Sequence, residues 1–368
     1  MAKLEDVCEI LDSRRIPITA SDRIAGPYPY YGANGIQDYV ADYIFDDELI
    51  LLAEDGGNFG SKDRPIAYRV SGKCWVNNHA HVLKPKAGYN IDYVCYSLMY
   101  YDVSALVNGA TRQKLTQADM RKMVIPARAL EEQQYIAAIL GKVNNLISLR
   151  KQQLAKLDDL VKARFVEMFG DIIHNDRTWP TYIFSDIAVS RLGKMLDAKQ
   201  QTGKCSFPYL ANYNVQWFRF ELDNINSMDF NEKDQIEFQL CEGDLLVCEG
   251  GEIGRCAIWH NEVQPCFFQK ALHRVRCNRN YILPDYLAWW FKYNCDHSGF
   301  AEIEGAKATI AHLPGAKLKK LSVAVPPLEM QEKFSAFVTQ INRQKLTMQQ
   351  SWDKLELLKK SLMQEYFG

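Results

Sequence analysis

His79 and His81 lie two residues apart, so on a strand they would face the same way. Such a pair suggests either metal ligation or a surface that meets a partner. No acidic or cysteine residue sits near them at a ligand spacing, and nothing comparable occurs in the second half of the chain. A structural or partner-facing role is therefore favoured over a metal site. Seven of the ten cysteines fall between Cys205 and Cys295. None forms the Cys-x-x-Cys pair from which a zinc site is usually built, and they read as reduced, mostly buried thiols. The chain lacks a Gly-x-x-x-x-Gly-Lys-Ser/Thr loop, a Gly-x-Gly-x-x-Gly element after a strand, and the Asn- or Asp-Pro-Pro-aromatic motif of amino-methyltransferases. Pro284-Asp285 opens a helix, and Glu304 with Lys307 lacks nuclease spacing. Catalysis is not expected.

Residue chemistry also marks which side chains could meet nucleic acid, were that the partner. Arg and Lys fork onto guanine, Asn and Gln onto adenine, and all of them reach phosphate. In the first half the candidates are Tyr31, Asn34, Lys62, Arg64, Asn77, Asn78, His79, His81, Arg112 and Lys114. In the second half they are Arg191, Lys194, Lys199, Lys204, Arg255, Gln269, Lys270, His273, Arg274 and Lys307. Many lie near turn signals, where binding residues concentrate. The net charge of −1 announces no polyanion partner. Charge is uneven, however: residues 221–252 are acidic, while 255–279 carry Arg255, Lys270, Arg274, Arg276 and Arg279 against Glu262. A solvated strand edge explains that patch as well as a phosphate site does.

These residues must be held by folded units. The chain has 368 residues, 47% hydrophobic and 12% aromatic, enough for two or three compact units. Acids occupy the N-terminus where a signal peptide needs an apolar run, and the longest apolar candidate, Tyr93 to Val107, contains Asp102. A soluble, cytoplasmic protein without membrane contact is expected.

The chain is also written twice. KLDDLVKARFVEMFG at 156–170 and KLELLKKSLMQEYFG at 354–368 share seven residues at a constant separation of 198. At that separation Leu130-Glu131-Glu132-Gln133 matches Leu328-Glu329-Met330-Gln331, with Pro126 and Pro326-Pro327 before them. More weakly, Gly56-Gly57-Asn58-Phe59-Gly60 answers Gly250-Gly251-Glu252-Ile253-Gly254. We read these glycines as a tight connection between strands that approaches a phosphate backbone.

After each proline comes a long run with no further proline, which predicts two long helices ended by Gly170 and Gly368. Leu140, Ile147, Leu154, Val161 and Met168 recur every seven residues in one, and Phe334, Ile341, Met348, Leu355 and Leu362 in the other. Heptads of this kind make a coiled-coil seam, so the two helices are expected to pack antiparallel and hold the globular units apart. The intervening segments alternate β-branched and aromatic residues with turn signals. Strands are expected at Glu48–Leu52, Trp75–Leu83, Asp244–Val247 and Lys270–Arg276, and short helices at Asp92–Tyr101 and Pro284–Tyr293. The expected fold is mixed α/β (α+β) with partly barrel-like sheets. Its divisions are 1–128, 129–170, 171–325 and 326–368.

This pattern resembles the specificity subunit of type I restriction–modification systems over essentially the whole chain. The resemblance is carried by Pro126, Leu130, Glu131, Gln133, Lys156, Leu157, Leu160, Phe169 and Gly170, and by Pro326, Leu328, Glu329, Gln331, Lys354, Leu355, Leu358, Phe367 and Gly368. The first copy departs from the pattern where Ala127-Arg128-Ala129 replaces the single Pro327. The resemblance implies two target-recognition domains, each reading half of a split, asymmetric site on double-stranded DNA, with the helices as spacer and dock. It implies two DNA adenine methyltransferase subunits and restriction (translocase) subunits as partners. S-adenosylmethionine, ATP and Mg²⁺ would belong to those partners, with no cofactor here. Two other readings stay open: a coiled-coil scaffold that never touches DNA, and the recognition part of a type II-like restriction enzyme.

Overall fold

A computed structural model of the chain describes residues 1–61, 64–109, 113–197, 201–301 and 312–368. The two long helices are Leu130–Phe169 and Leu328–Phe367. At ~1.5 Å per residue each is about 60 Å long. Gly170 ends the first with φ +72°, its N–H bonded to Val166 O at 2.8 Å, a left-handed cap that glycine adopts without strain.

The chain forms two compact units, and their division runs through the helices. One unit is Met1–Gln152 with Gln349–Gly368, and the other is Gln153–Met348. Within the first, Arg150 Nε donates to Ser351 Oγ at 3.2 Å and Arg128 Nη2 donates to Tyr366 O at 3.1 Å. Within the second, Lys345 pairs with Asp158, and the Phe165 and Phe334 rings sit 5.4 Å apart. The helices run antiparallel in both, as the heptads predict. The seam is unevenly covered: Ile136, Leu140, Val161, Phe165 and Phe334 are buried, whereas Leu154, Met348, Leu355 and Leu362 are only half-buried. The helices bury their apolar stripes chiefly where those meet the core of a unit.

In the first unit, strands β1 (Cys8–Ile10), β2 (Ala25–Gly32), β3 (Gly35–Val40), β4 (Phe45–Ala53), β5 (Ala67–Val76) and β6 (Ala80–Pro85) form one sheet in the order β1-β6-β4-β5-β2-β3. Every pairing is antiparallel except β2 with β5. Leu49 to Ala53 are fully buried on both faces of the sheet, which explains their unbroken apolar run. The strand expected over Trp75–Leu83 is instead the end of β5, a turn, and β6. Asn78 and His79 make that turn, with Asn77 Oδ1 just before it accepting from the His79 N–H. The helix Ile91–Tyr100 is capped by Asn90, whose side chain accepts from Tyr93 N.

In the second unit, β7 (Ala188–Leu192), β10 (Leu245–Cys248), β11 (Cys256–Ile258) and β13 (Leu272–Cys277) form a sheet in the order β7-β13-β10-β11. Strands β8 (Ser206–Leu210), β9 (Asn226–Asp229) and β12 (Phe267–Phe268) form another, in which β8 and β12 are parallel, as β2 and β5 are in the first unit. The helix Pro284–Asp296 buries Tyr286, Trp289 and Phe291 against Phe165 and its neighbours. All ten cysteines are free thiols, six of them buried.

Candidate nucleic-acid interface

The two units share a polar framework deeper than the sequence match suggests. His81 and His273 are both buried, and each donates from Nε2 to a leucine carbonyl, Leu115 O at 2.9 Å and Leu313 O at 3.0 Å. Those leucine N–H groups donate in turn to Glu54 O and Glu249 O, just before the glycine-rich loops. Asn34 Nδ2 donates to Gly56 O at 3.0 Å, and Asn212 Nδ2 donates to Gly250 O at 2.8 Å. An asparagine thus clamps each glycine-rich loop by its first carbonyl. Asn212 escaped the sequence reading, although Tyr31-Gly32-Ala33-Asn34 and Tyr209-Leu210-Ala211-Asn212 share a Tyr-x-Ala-Asn signal.

Beneath the first loop lies a charged cluster. Ligand atoms of Asp12, Glu54 and His81 fall within 4.8 Å of one another, so His81 does have the acidic neighbours that sequence spacing did not reveal. All three are already engaged. Asp12 accepts from Val82 N, Gln117 Nε2 and His81 Nδ1, while Glu54 pairs with Arg15 at 2.6 Å and Lys114 at 3.0 Å. A cation would have to displace Arg15 and Lys114, so the cluster reads as an ion-pair network. Burial alone would raise the Asp12 carboxyl. The hydrogen bonds and charge of His81 outweigh it and hold Asp12 below the usual carboxylate range. Glu54 is likewise lowered, burial being outweighed by Arg15 and Lys114.

The expectation that His81, His273 and Asn77 face DNA is corrected by their burial. Asn77 and His81 spend both side-chain polar atoms inside their own unit, and His273 spends Nε2 on Leu313 O, since a buried donor or acceptor left unpaired is costly. Burial also keeps the His273 imidazole below its ordinary pKa. Tyr31 is half-buried against Tyr68. At the surface of the first unit stand Asn34, Arg64 and Asn78, with His79 partly exposed and held to Asp55 at 2.6 Å. Lys114 is half-exposed despite its bond to Glu54. Gln37, exposed at the same tip of the β2–β3 hairpin, was not among the candidates: nothing in its own neighbourhood marks it, and its orientation depends on Gly32 and Asn77.

In the second unit four of the six described candidate lysines and arginines are bound within the fold. Arg191 pairs with Glu237, and Lys194 binds Asp234 at 2.5 Å and Asp229 O at 2.6 Å. Arg274 donates to Glu237 O and Gln239 O, and burial lowers its guanidinium pKa. Arg255 closes over Asn212, binding its carbonyl and its Oδ1 at 2.8 Å. Of the basic stretch, Arg276 pairs with Asp244 at 2.7 Å and Arg255 with Glu252 at 3.7 Å, so the acidic stretch neutralises part of it. Gln269 is half-buried, and Lys204 and Lys270 are exposed. Lys62, Arg112, Lys199 and Lys307 lie outside the described residues.

A family model for the type I restriction modification DNA specificity domain matches residues 1–159 and 177–357. The chain belongs to that family. A Haemophilus influenzae protein named as a type I restriction enzyme specificity subunit is 29% identical over 336 residues, covering 90% of this chain and 84% of its own. The Escherichia coli EcoprrI specificity subunit is 29% identical over 119 residues, 32% of this chain and 28% of its own. Among solved structures, the type I restriction–modification S subunit of M. genitalium superposes with a TM-score of 0.64 at 13% identity, covering all of this chain and 95% of that one. A chain from a study of type I complex assembly and conformational transition superposes at 0.58 and 12% identity, covering 100% and 96%. Both share the fold. This specificity subunit is the DNA-recognising component of a type I restriction–modification system. No helix among its described residues is long and apolar enough to cross a membrane.

Proposed function

We propose that residues 1–128 and 171–325 are two target-recognition domains, each reading one half of a bipartite, asymmetric DNA site. The helices at 129–170 and 326–368 serve as spacer and dock for two DNA adenine methyltransferase subunits, with restriction subunits joining that complex. The observation that carries this reading is a common inner framework with different edges. Histidine–leucine and asparagine–glycine bonds recur in both units. The edges beside them differ: a β2–β3 hairpin in one, and β8 paired with β9 across an inserted segment in the other. Two readers built alike but edged differently suit two unlike half-sites.

Of the candidate cations among the described residues, Arg191, Lys194, Arg255 and Arg274 are spent on internal bonds, while Arg64, Lys204 and Lys270 stand exposed. Much of the phosphate contact is therefore assigned to the methyltransferase subunits, and the chain alone should bind DNA weakly and with strong salt dependence. S-adenosylmethionine, ATP and Mg²⁺ act on the partner subunits, and no chemistry is assigned to this chain. The test is a methylome: the chain is co-expressed with its methyltransferase subunit and methyladenine is mapped across the host genome. A new two-part motif with a fixed gap, lost when this chain is omitted, is the expected result. A stable complex that adds no methylation would overturn the reading.

A further inference from the structure

Gln37 is the extra residue of a β-bulge. Tyr30 lies opposite Asp38 and Tyr31 opposite Ile36, which leaves Gln37 without a cross-strand partner. Bulges re-aim side chains, and this one folds the Gln37 amide across Gly32. A Cβ at Gly32 would lie 2.2 Å from Gln37 Nε2 and 3.1 Å from Asn77 Nδ2, so a larger residue there would push the Gln37 amide out of this position. The polarity of the arrangement follows from one backbone group. The His79 N–H can only donate, and it donates to Asn77 Oδ1 at 2.8 Å. Asn77, 3% exposed, must then present its amino group, which donates to Gln37 Oε1 at 2.9 Å. The Gln37 oxygen is committed inward. Its Nε2 has no partner among the described residues, and the side chain is exposed. Asn34 and Asn78 are exposed at the same tip.

A free glutamine forks onto adenine with one donor and one acceptor, whereas a glutamine with its oxygen engaged offers donors. We propose that Gln37 reads a base edge presenting an acceptor, guanine or thymine, within the half-site of the first unit. Asn77 is the positioning residue that sets this polarity. The inference rests on the half-site reading above and adds the base class and the residue.

The test maps methyladenine made by the complex of this chain with its methyltransferase subunit, using wild type and three variants. Gln37→Ala removes the donor without adding charge and should relax one position in one half of the motif. Gln37→Glu puts an acceptor outward, and methylation of the original motif should fall by roughly tenfold or more, with the same position moving away from guanine or thymine. Asn77→Asp abolishes the donor to Gln37, which then turns its oxygen outward, so the same position should move in the same direction. In all three the other half of the motif stays as in wild type. Unchanged discrimination in Gln37→Ala overturns the proposal. So does an Asn77→Asp complex that loses methylation uniformly without altering the motif, since that marks a merely structural residue. A wild-type complex without any two-part motif brings down the half-site reading itself, and this inference with it.

Discussion

Gln133 and Gln331 make the same three hydrogen bonds in their respective units. Gln133 accepts from Asn90 N at 2.9 Å and donates to Arg128 O and Gly88 O. Gln331 accepts from Leu283 N at 2.9 Å and donates to Pro326 O and Tyr281 O. Both side chains are buried, so each amide ties the first turn of a long helix to the segment before its unit's shorter helix. Gln331→Ala should cost about 1–3 kcal/mol, the penalty of stranding buried backbone groups. Amide hydrogen exchange checks it: protection at Leu283 should fall in Gln331→Ala while that at Asn90 holds, and Gln133→Ala should show the reverse. Equal loss at both amides would mean that the clamps are not local.

The ion-pair network under the first glycine-rich loop makes an acid prediction. Asp12 and Glu54 have folded-state pKa values below their ordinary ones. Their contribution is therefore present above the unfolded carboxylate range, about pH 4, and is lost as pH falls through the folded values. Asp12→Ala leaves Arg15 and His81 short of a buried partner and should cost about 3–5 kcal/mol at neutral pH. Urea denaturation of both proteins at pH 7 and pH 3 decides the matter. The difference between them should shrink at pH 3, and a constant difference would show that Asp12 acts through packing.

Burial of His273 gives the opposite element a gentler slope. Its folded pKa lies below the ordinary histidine value, so the unfolded chain binds more protons between the two. Stability from this residue is complete above about pH 6.5 and declines as pH falls toward the folded value. Hydrogen-exchange protection of Val275, measured at pH 7.5 and pH 5.5, should drop in wild type. In His273→Gln the drop should be smaller, because nothing titrates at that position.

Helices, their polarity and the internal repeat were legible because they rest on local signals: proline, glycine and seven-residue spacing. Side-chain partners were not, because they come from far along the chain. His81 meets Asp12 across 69 residues, and Lys194 meets Asp234 across 40. The Trp75–Leu83 run looked continuous because periodicity cannot show that Asn77 would turn its side chain onto the His79 N–H. Gln37 was invisible for the same reason, since its orientation is set by a bulge and by Gly32. What sequence supplied was residue type, and what the fold added was which donors remain unspent.

That distinction separates two classes of cation. Arg64, Lys204 and Lys270 are exposed, whereas Arg191, Lys194 and Arg274 are bound to Glu237, Asp234 and backbone carbonyls. Counterion release ties each phosphate contact to a change of about 0.9 in the slope of log K against log salt. For the complex with its methyltransferase subunit, Ala at Arg64, Lys204 or Lys270 should lower that slope by about 1 per true contact and leave thermal stability unchanged. Ala at Lys194 or Arg274 should instead lower the melting temperature with the slope intact, because the bonds these residues make to Asp234, Asp229 O and Glu237 O within the fold are lost. Fluorescence anisotropy across a salt series, paired with thermal melts, reads both. A reduced slope for Lys194→Ala with an unaltered melt would place that lysine on DNA and return it to the interface.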